Sequence, residues 1–306
     1  MQTRFILINT SHAGNVGAAA RAMKTMGFSD LVLVAPRWAN VLNREETIQR
    51  ASGALDVLKN ARIVATLDEA LDGMTHLCAT AMTPRDFGPP MLTPREHFEA
   101  LAHKERLTQA ARGHVAGTAP QYDCSEVVSD APLPQQGVAF LFGCERYGMS
   151  NEDVYRCHVA LNIPSSPQFG SLNLAAALQV VAYEWRLALG GYGDAGATEG
   201  VAVQAEPVDA ASPVTGATAE GSSRFDLLAD ASQMAGMLAH WERSLIAVGF
   251  LDPQAPKKLM PRLNQLFNRA GLTQGEIHIL RGIAKMIDPT ASGAKALPDT
   301  AAPTKS

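Results

Sequence analysis

Short apolar runs without polar alternation recur through the first 190 residues, beginning with Phe5–Ile8 and Leu31–Val34. Runs of this length and uniformity suit strands that are covered on both faces. Arg62–Ala65, His76–Thr80, Val138–Phe142 and Val159–Ile163 extend the series, and residues 16–26, 44–51, 67–72 and 97–105 supply helices between them. Apolar strands alternating with helices predict an α/β domain. From Leu172 to Leu189 the pattern changes: Leu172, Ala176, Gln179, Tyr183 and Arg186 recur near helical spacing over a stretch too long for a strand.

Beyond this helix the apolar signal stops. Residues 190–223 contain Asp194, Glu199, Glu206, Asp209 and Glu220 but no Lys or Arg, among many Gly, Ala, Ser, Thr and Pro, and read as a flexible acidic linker. Periodicity returns with Leu227, Leu228, Met234, Met237, Leu238, Trp241, Leu245 and Ile246. A second helix is expected to open at Pro261 and a third to carry Ile277, Leu280, Ile283 and Ile287 past Gly271. The expected plan is a catalytic-sized domain over 1–189, a linker over 190–223, a helical module over 224–288 and a loose tail over 289–306. No repeat of 20 to 50 residues interrupts it.

Composition narrows the function classes. With 26 Lys and Arg against 30 Asp and Glu in 306 residues, the formal charge is -4, which excludes a strongly basic nucleic-acid coat but not a local patch. Cysteines at 78, 124, 144 and 157 form no CxxC pair, so neither a zinc ribbon nor a disulfide scaffold is expected, and no structural metal. No window approaches the roughly 18 apolar residues of a membrane span, and a soluble cytoplasmic protein is expected.

Candidate chemistry concentrates after the first strand. Asn9–Arg21 leaves the strand, turns through Ser11, His12 and Gly14, and enters a helix, the place where α/β proteins often bind ligands. Asn15 is expected to cap that helix, and Gly14 and Gly17 to permit close backbone approach. A plain cap and a surface arginine account for the same residues. The GxGxxG of dinucleotide-binding proteins is absent, which disfavours a nicotinamide enzyme.

Three segments together resemble the SPOUT class of RNA ribose 2'-O-methyltransferases: Ser11–Asn15 with Arg21, Leu141–Gly148, and Ser171–Ala177. The resemblance spans nearly all of the first 190 residues, and the C-terminal helices are similar to those of bacterial tRNA cytidine/uridine-32 2'-O-methyltransferases. An enlarged connection over 109–136 and the 190–223 linker depart from a compact member. The resemblance implies an α/β-knot fold with a deep trefoil knot that holds S-adenosylmethionine, a homodimer, and a tRNA substrate. It places Arg21, Asn15, Glu145, Ser171 and Asn173 at the reaction centre, and Thr80, Ala81, Gly143, Ile163 and Leu172 against the cofactor.

Arginine titrates above roughly 12, so Arg21 is an unfavourable proton acceptor and an easier partner for a phosphate or a developing alkoxide. Glu145 is expected to orient Arg21 or a nearby backbone donor, while Ser171 and Asn173 also suit capping of the long helix. Arg37, Arg44, Arg85 and Arg95 are expected RNA contacts on the first domain, and Lys257, Lys258, Arg262, Arg269, Arg281 and Lys285 on the second. The Val180–Tyr183 segment and Trp185 fit either a dimer contact or the core. A related enzyme acting on another RNA ribose, and an RNA-binding module without catalysis, remain the alternatives.

Overall fold

The computed structural model describes residues 2–101, 137–192 and 227–287. The 190–223 linker and the 109–136 connection fall almost entirely outside these residues, and the 289–306 tail wholly so. In chain order the elements are β1 (Gln2–Ile8), α1 (Ala13–Thr25), β2 (Asp30–Val34), α2 (Glu45–Ala51), α3 (Leu55–Asn60), β3 (Arg62–Val64), α4 (Leu67–Leu71), β4 (His76–Thr80) and β5 (Met91–Leu92). A helix described over 94–101 is α5. There follow β6 (Gly137–Phe142), α6 (Asn151–Tyr155), β7 (Val159–Leu161), α7 (Leu174–Ala188), α8 (Ala231–Ala247), α9 (Leu259–Ala270) and α10 (Gln274–Ile287).

The strands form one 7-stranded sheet in the order β3-β2-β1-β6-β4-β7-β5, with every pairing parallel. Strict alternation of side chains explains why the central strands read as continuously apolar. Phe5, Leu7, Leu31, Leu33, Phe140 and Phe142 enter one core with α1 and α7. Ile6, Ile8, Val32, Val34, Ala139 and Leu141 enter a second core with α4. Strands β3 and β7 are shorter than the apolar runs predict, ending at Val64 and Leu161, and β5 is too short to announce itself by periodicity.

Helix α1 packs on the sheet through Val16, Ala19, Ala20 and Met23. Gly17 lets α2 approach: a Cβ there would stand 2.0 Å from the Thr47 carbonyl oxygen. The Thr47 hydroxyl ties the same junction, donating to the carbonyls of Ala13 at 3.0 Å and Val41 at 2.6 Å. Gly17→Ala is therefore expected to destabilise the domain by about 1–3 kcal/mol, read from the denaturant midpoint, because backbone rather than a pliable side chain must move.

On α7, Val181, Ala182 and Trp185 belong to the core, and the Trp185 indole donates to Thr3 Oγ1 at 3.0 Å. Val180, Tyr183 and Leu187 form an exposed stripe, with Tyr183 48% accessible. The two burial modes that the apolar segment allowed thus divide between two faces of one helix.

A polar cluster interrupts the core near the start of β4. His76 Nε2 and His97 Nε2 share a hydrogen bond of 3.0 Å, and burial lowers the His97 pKa to about 4. With Cys78 they bring potential ligand atoms within 4.8 Å of one another, a grouping that cysteine spacing alone does not reveal.

The C-terminal helices pack around Met237, Phe267 and Ile277. Asp230 and Gln233 form a reciprocal capping box at the start of α8. Helix α9 opens at Leu259, so Pro261 lies within its first turn rather than starting it. The Asn264 amide donates to the Tyr155 carbonyl at 2.5 Å, and Asn268 donates to the carbonyls of Arg156 and Cys157. Ala231 N donates to Met74 O at 2.8 Å. These bonds dock the helices beside β4 and α6. Among the described residues no helix is long and apolar enough to cross a membrane.

Candidate active site

The C-terminal ends of the central strands open into a cavity of about 860 Å³, where a parallel sheet ordinarily receives its ligand. Three loops, the turn into α1, the segment after β6 and the segment between β7 and α7, wall it together with residues that follow β4 and residues of α2. Thr80 Oγ1 donates to Leu141 O at 2.9 Å, and Ala81 N donates to Leu161 O at 3.0 Å, so the strand ends are tied together directly beneath it. Thr80, Ala81, Gly143, Ile163 and Leu172 all line the cavity, as do Asn15, Glu145, Ser171 and Asn173.

Glu145 is the organising acceptor. One carboxylate oxygen accepts from Thr10 Oγ1 at 2.8 Å, Asn15 Nδ2 at 2.9 Å and His12 N at 3.3 Å. The other accepts from Ser11 N at 2.9 Å and Ser11 Oγ at 2.8 Å. Burial pushes this carboxyl up, but hydrogen bonds from Asn15 and Ser11 outweigh it and hold the pKa at about 2. Asn173 Nδ2 donates to Asn15 Oδ1 at 2.9 Å, and Asn173 Oδ1 accepts from Ala175 N at 2.9 Å. One continuous chain of hydrogen bonds therefore joins the three loops.

This network corrects one expectation and decides another. Helix α1 begins at Ala13 with His12 at the N-cap and no side-chain cap bond, because the Asn15 side chain is drawn across to Glu145 and Asn173. Of the two partners expected for Glu145, the structure shows the second: it accepts from the backbone amides of Ser11 and His12, holding the Thr10–Asn15 turn, and makes no bond to Arg21. Asn173 does cap α7, whereas Ser171 makes no hydrogen bond with a described residue and leaves its hydroxyl free at the cavity.

Arg21 lies outside the cavity lining. It follows Asn15 and Ala18 along one face of α1 and is exposed, and its guanidinium forms no hydrogen bond or ion pair among the described residues. Glu46 and Arg50 line the cavity without having been anticipated, and Arg146 and Tyr147, inside the Leu141–Gly148 motif, line it without having been given a role. Arg146 and Tyr147 directly follow the Glu145 motif position, a proximity that could have flagged them; Glu46 and Arg50 carry no motif signal and reach the site only through the packing of α2 on α1.

Residues 2–93 and 93–183 match the SpoU rRNA Methylase family. The chain belongs to the SpoU methylase family. Residues 232–296 match the C-terminal domain of the tRNA methyltransferase TrmJ. The chain is 39% identical over 292 residues to the tRNA (cytidine/uridine/adenosine-2'-O-)-methyltransferase TrmJ of Pseudomonas aeruginosa, covering 95% of each. It is 36% identical over 293 residues to the tRNA (cytidine/uridine-2'-O-)-methyltransferase TrmJ of Escherichia coli K12, covering 96% of this chain and 98% of that one. The crystal structure of TrmJ from Z. mobilis ZM4 superposes with a TM-score of 0.65 at 26% identity, covering 94% of this chain and 99% of that chain.

SpoU methylases bind S-adenosylmethionine, and their fold is that of the trefoil-knot family. The cavity fits such a ligand: its volume lies in the range of ordinary cofactor pockets, and small residues line the walls where adenosine must lie against backbone. Gly143 is the tightest of these positions. A Cβ there would meet Gly148 C at 2.3 Å and Met149 N at 2.4 Å, across a turn closed by hydrogen bonds between Cys144 and Gly148. Gly143→Ala is expected to weaken S-adenosylmethionine binding about tenfold or more by forcing this turn open, corresponding to ~1.4 kcal/mol or more in titration calorimetry.

The RNA candidates divide by what they touch. Arg37 and Arg44 lie 4.9 and 4.6 Å from the Trp38 ring centroid, held at the surface by cation–π contact. Arg85 lines the cavity, with its Nε buried and unpaired. Arg262 stacks on Phe87 at 4.6 Å, which brings α9 alongside the same loop, and Lys257, Lys258 and Arg269 are exposed at the two ends of α9. Arg95 is engaged by Glu184 through bonds of 3.1 and 2.7 Å, so it is not a free phosphate contact.

Proposed function

We propose that this chain transfers a methyl group from S-adenosylmethionine to the ribose 2'-hydroxyl of cytidine or uridine at position 32 of the tRNA anticodon loop. The observation that carries the reading is the Glu145–Asn15–Asn173 network, which locks three motif-bearing loops around one cavity. The full-length similarity to tRNA 2'-O-methyltransferases supports it. The domain division supports it too, with methyl transfer assigned to 1–189 and RNA contact to the helices within 224–288.

The cofactor supplies an electrophilic methyl, and the protein must present the ribose oxygen in line with it. Thr80, Ala81, Gly143, Ile163 and Leu172 would hold the cofactor through backbone groups and small or apolar side chains, leaving Asn15, Ser171 and Asn173 to shape the space for ribose. The free Ser171 hydroxyl hydrogen-bonds the incoming sugar. Arg21, exposed on α1 and without a partner among the described residues, takes the phosphate beside the target nucleotide and stabilises negative charge growing on the 2'-oxygen.

Arg37, Arg44, Arg85 and the α9 cations contact the tRNA backbone, which reconciles RNA binding with a formal charge of -4. The exposed Val180, Tyr183 and Leu187 stripe supports a homodimer, in keeping with apolar patches that mark association surfaces. The reaction is assigned to the cytoplasm, where tRNA is available.

Incubation with unmodified tRNA and S-adenosylmethionine, followed by mapping of 2'-O-methyl groups, tests the assignment. Product at nucleotide 32 is expected, with tRNA affinity falling steeply and cofactor affinity little as salt rises. Product only at another tRNA position or in rRNA overturns the target and leaves the reaction class in place.

A further inference from the structure

Strand β4 meets the cavity only at its C-terminal end, through Thr80. Nearer its start it carries His76 and Cys78, two positions apart and so on one face of the strand. Cys78 joins the core on that face, while Leu77 and Ala79 join the core on the other. Helix α5 brings His97 against the same face. Its neighbour Phe98 is fully buried, edge-on to Phe140 and Trp185 with ring centroids 5.4 and 5.2 Å away. That anchor aims His97 at β4, where its ring stacks on His76 at 5.2 Å.

The two imidazoles meet through Nε2, 3.0 Å apart. The ligand-capable atoms of His76, Cys78 and His97 all fall within 4.8 Å of one another. Zinc bonds nitrogen at about 2.0–2.1 Å and thiolate sulfur at about 2.3 Å, so a tetrahedral ion spaces such atoms roughly 3.3–3.6 Å apart. The nitrogens already stand close to that spacing, and the sulfur reaches it with a shift on the order of 1 Å.

We propose that His76, Cys78 and His97 form a binding site for a zinc-class divalent cation, which clamps α5 to β4 and leaves a fourth position for water. The donor set decides the class. Two imidazoles and one thiolate suit a borderline-soft ion, and a set without a carboxylate gives little hold to Mg2+ or Ca2+. Both imidazoles are half-buried and Cys78 is fully buried, so the ion enters from the imidazole side and the sulfur closes the site from the core. None of the three residues lines the cavity, and the proposal stands independently of methyl transfer.

Binding takes one proton from the protein. The Cys78 S–H bond breaks, its proton goes to water, and the sulfur pair forms the bond to the metal. In the metal-free pair one Nε2 carries the hydrogen that the other accepts. That imidazole moves its proton to Nδ1 through solvent, both Nε2 lone pairs then face the ion, and the metal takes the place of the His76–His97 hydrogen bond. His158 supports the site without joining it. Its ring lies 4.7 Å from that of His76, and its Nδ1 accepts from Leu77 N at 3.1 Å, which puts the proton of the neutral ring, and no lone pair, on Nε2.

Titration of the chelator-treated, full-length protein with Co2+, a zinc substitute with a visible spectrum, tests the assignment. One Co2+ per chain is expected, with a thiolate-to-cobalt charge-transfer band and the intense visible bands of a four-coordinate ion. Zn2+ should displace it and raise the thermal midpoint as its concentration rises, whereas Mg2+ and Ca2+ should do neither. Cys78→Ala should abolish the charge-transfer band, and Cys124→Ser and Cys144→Ser should keep it. His97→Gln, at a half-buried position that tolerates a polar side chain, should weaken Zn2+ binding at least about tenfold, which keeps the test decisive even if Cys78→Ala fails to fold. A wild type that binds no Co2+ overturns the proposal. So does a band that survives Cys78→Ala or is lost in Cys124→Ser or Cys144→Ser, and so does a Zn2+ affinity unmoved by His97→Gln.

Discussion

Glu145→Gln should cut methyl transfer about 100-fold or more while leaving the fold assembled, because the substitution puts donors against donors. In the wild type, each carboxylate oxygen accepts from at least one N–H that can only donate: His12 N and Asn15 Nδ2 on one side, Ser11 N on the other, with the Thr10 and Ser11 hydroxyls beside them. Whichever way the Gln amide turns, its NH2 replaces an acceptor that is already claimed. The Thr10–Asn15 turn must then rearrange, carrying His12 and Asn15 out of place and releasing Asn173. An unmade buried hydrogen bond costs about 1–3 kcal/mol, with the lower end apt for this half-buried site. The check is a pair of measurements, turnover and the denaturant midpoint: a large loss of turnover with a small stability loss is expected. Glu145→Gln with wild-type turnover would show that the turn is held by other means.

The pH dependence of this contribution has a definite sign. The folded pKa of about 2 lies below the reference value of 4.5, so the native state favours the ionised form. The stability it adds is present above the reference value and is lost as pH falls from about 4.5 towards 2. Activity should therefore show no Glu145 ionisation between pH 5 and 9.

The sheet was legible in the sequence because its central strands are buried on both faces, which turns alternation into continuous apolar runs such as Phe5–Ile8 and Val138–Phe142. The edge strand β5 was not, since Met91–Leu92 offers too few residues to establish a period. Asn15, Glu145 and Asn173 were named through the motif resemblance, and the structure brings them to one cavity. Their mutual bonds were not legible: Asn15 and Asn173 are separated by 158 positions and meet only through tertiary structure. The helix-cap expectation for Asn15 failed for the same reason, since a local capping preference lost to a carboxylate arriving from another loop. Arg50 and Glu46 stayed hidden because nothing local distinguishes a charge facing a cavity from one facing solvent.

Arg21→Ala is expected to reduce methyl transfer about 100- to 1000-fold with S-adenosylmethionine affinity unchanged. The separation follows from position: Arg21 lies outside the cavity that holds the cofactor, yet it extends the Asn15 and Ala18 face of α1 as an exposed, unpaired guanidinium. A side chain without a folded-state partner contributes little to stability, so the variant should keep its thermal midpoint. If Arg21 stabilises charge on the ribose oxygen, the loss appears in the single-turnover rate at saturating tRNA. If it only grips the neighbouring phosphate, the loss appears in tRNA affinity, and the salt slope of binding falls by about one. Arg21→Lys separates the two further: a point charge restores much of a phosphate contact but less of a bidentate one, because the planar fork is missing. Wild-type turnover in Arg21→Ala would remove this residue from the reaction and leave Ser171 and the Glu145 network to account for it.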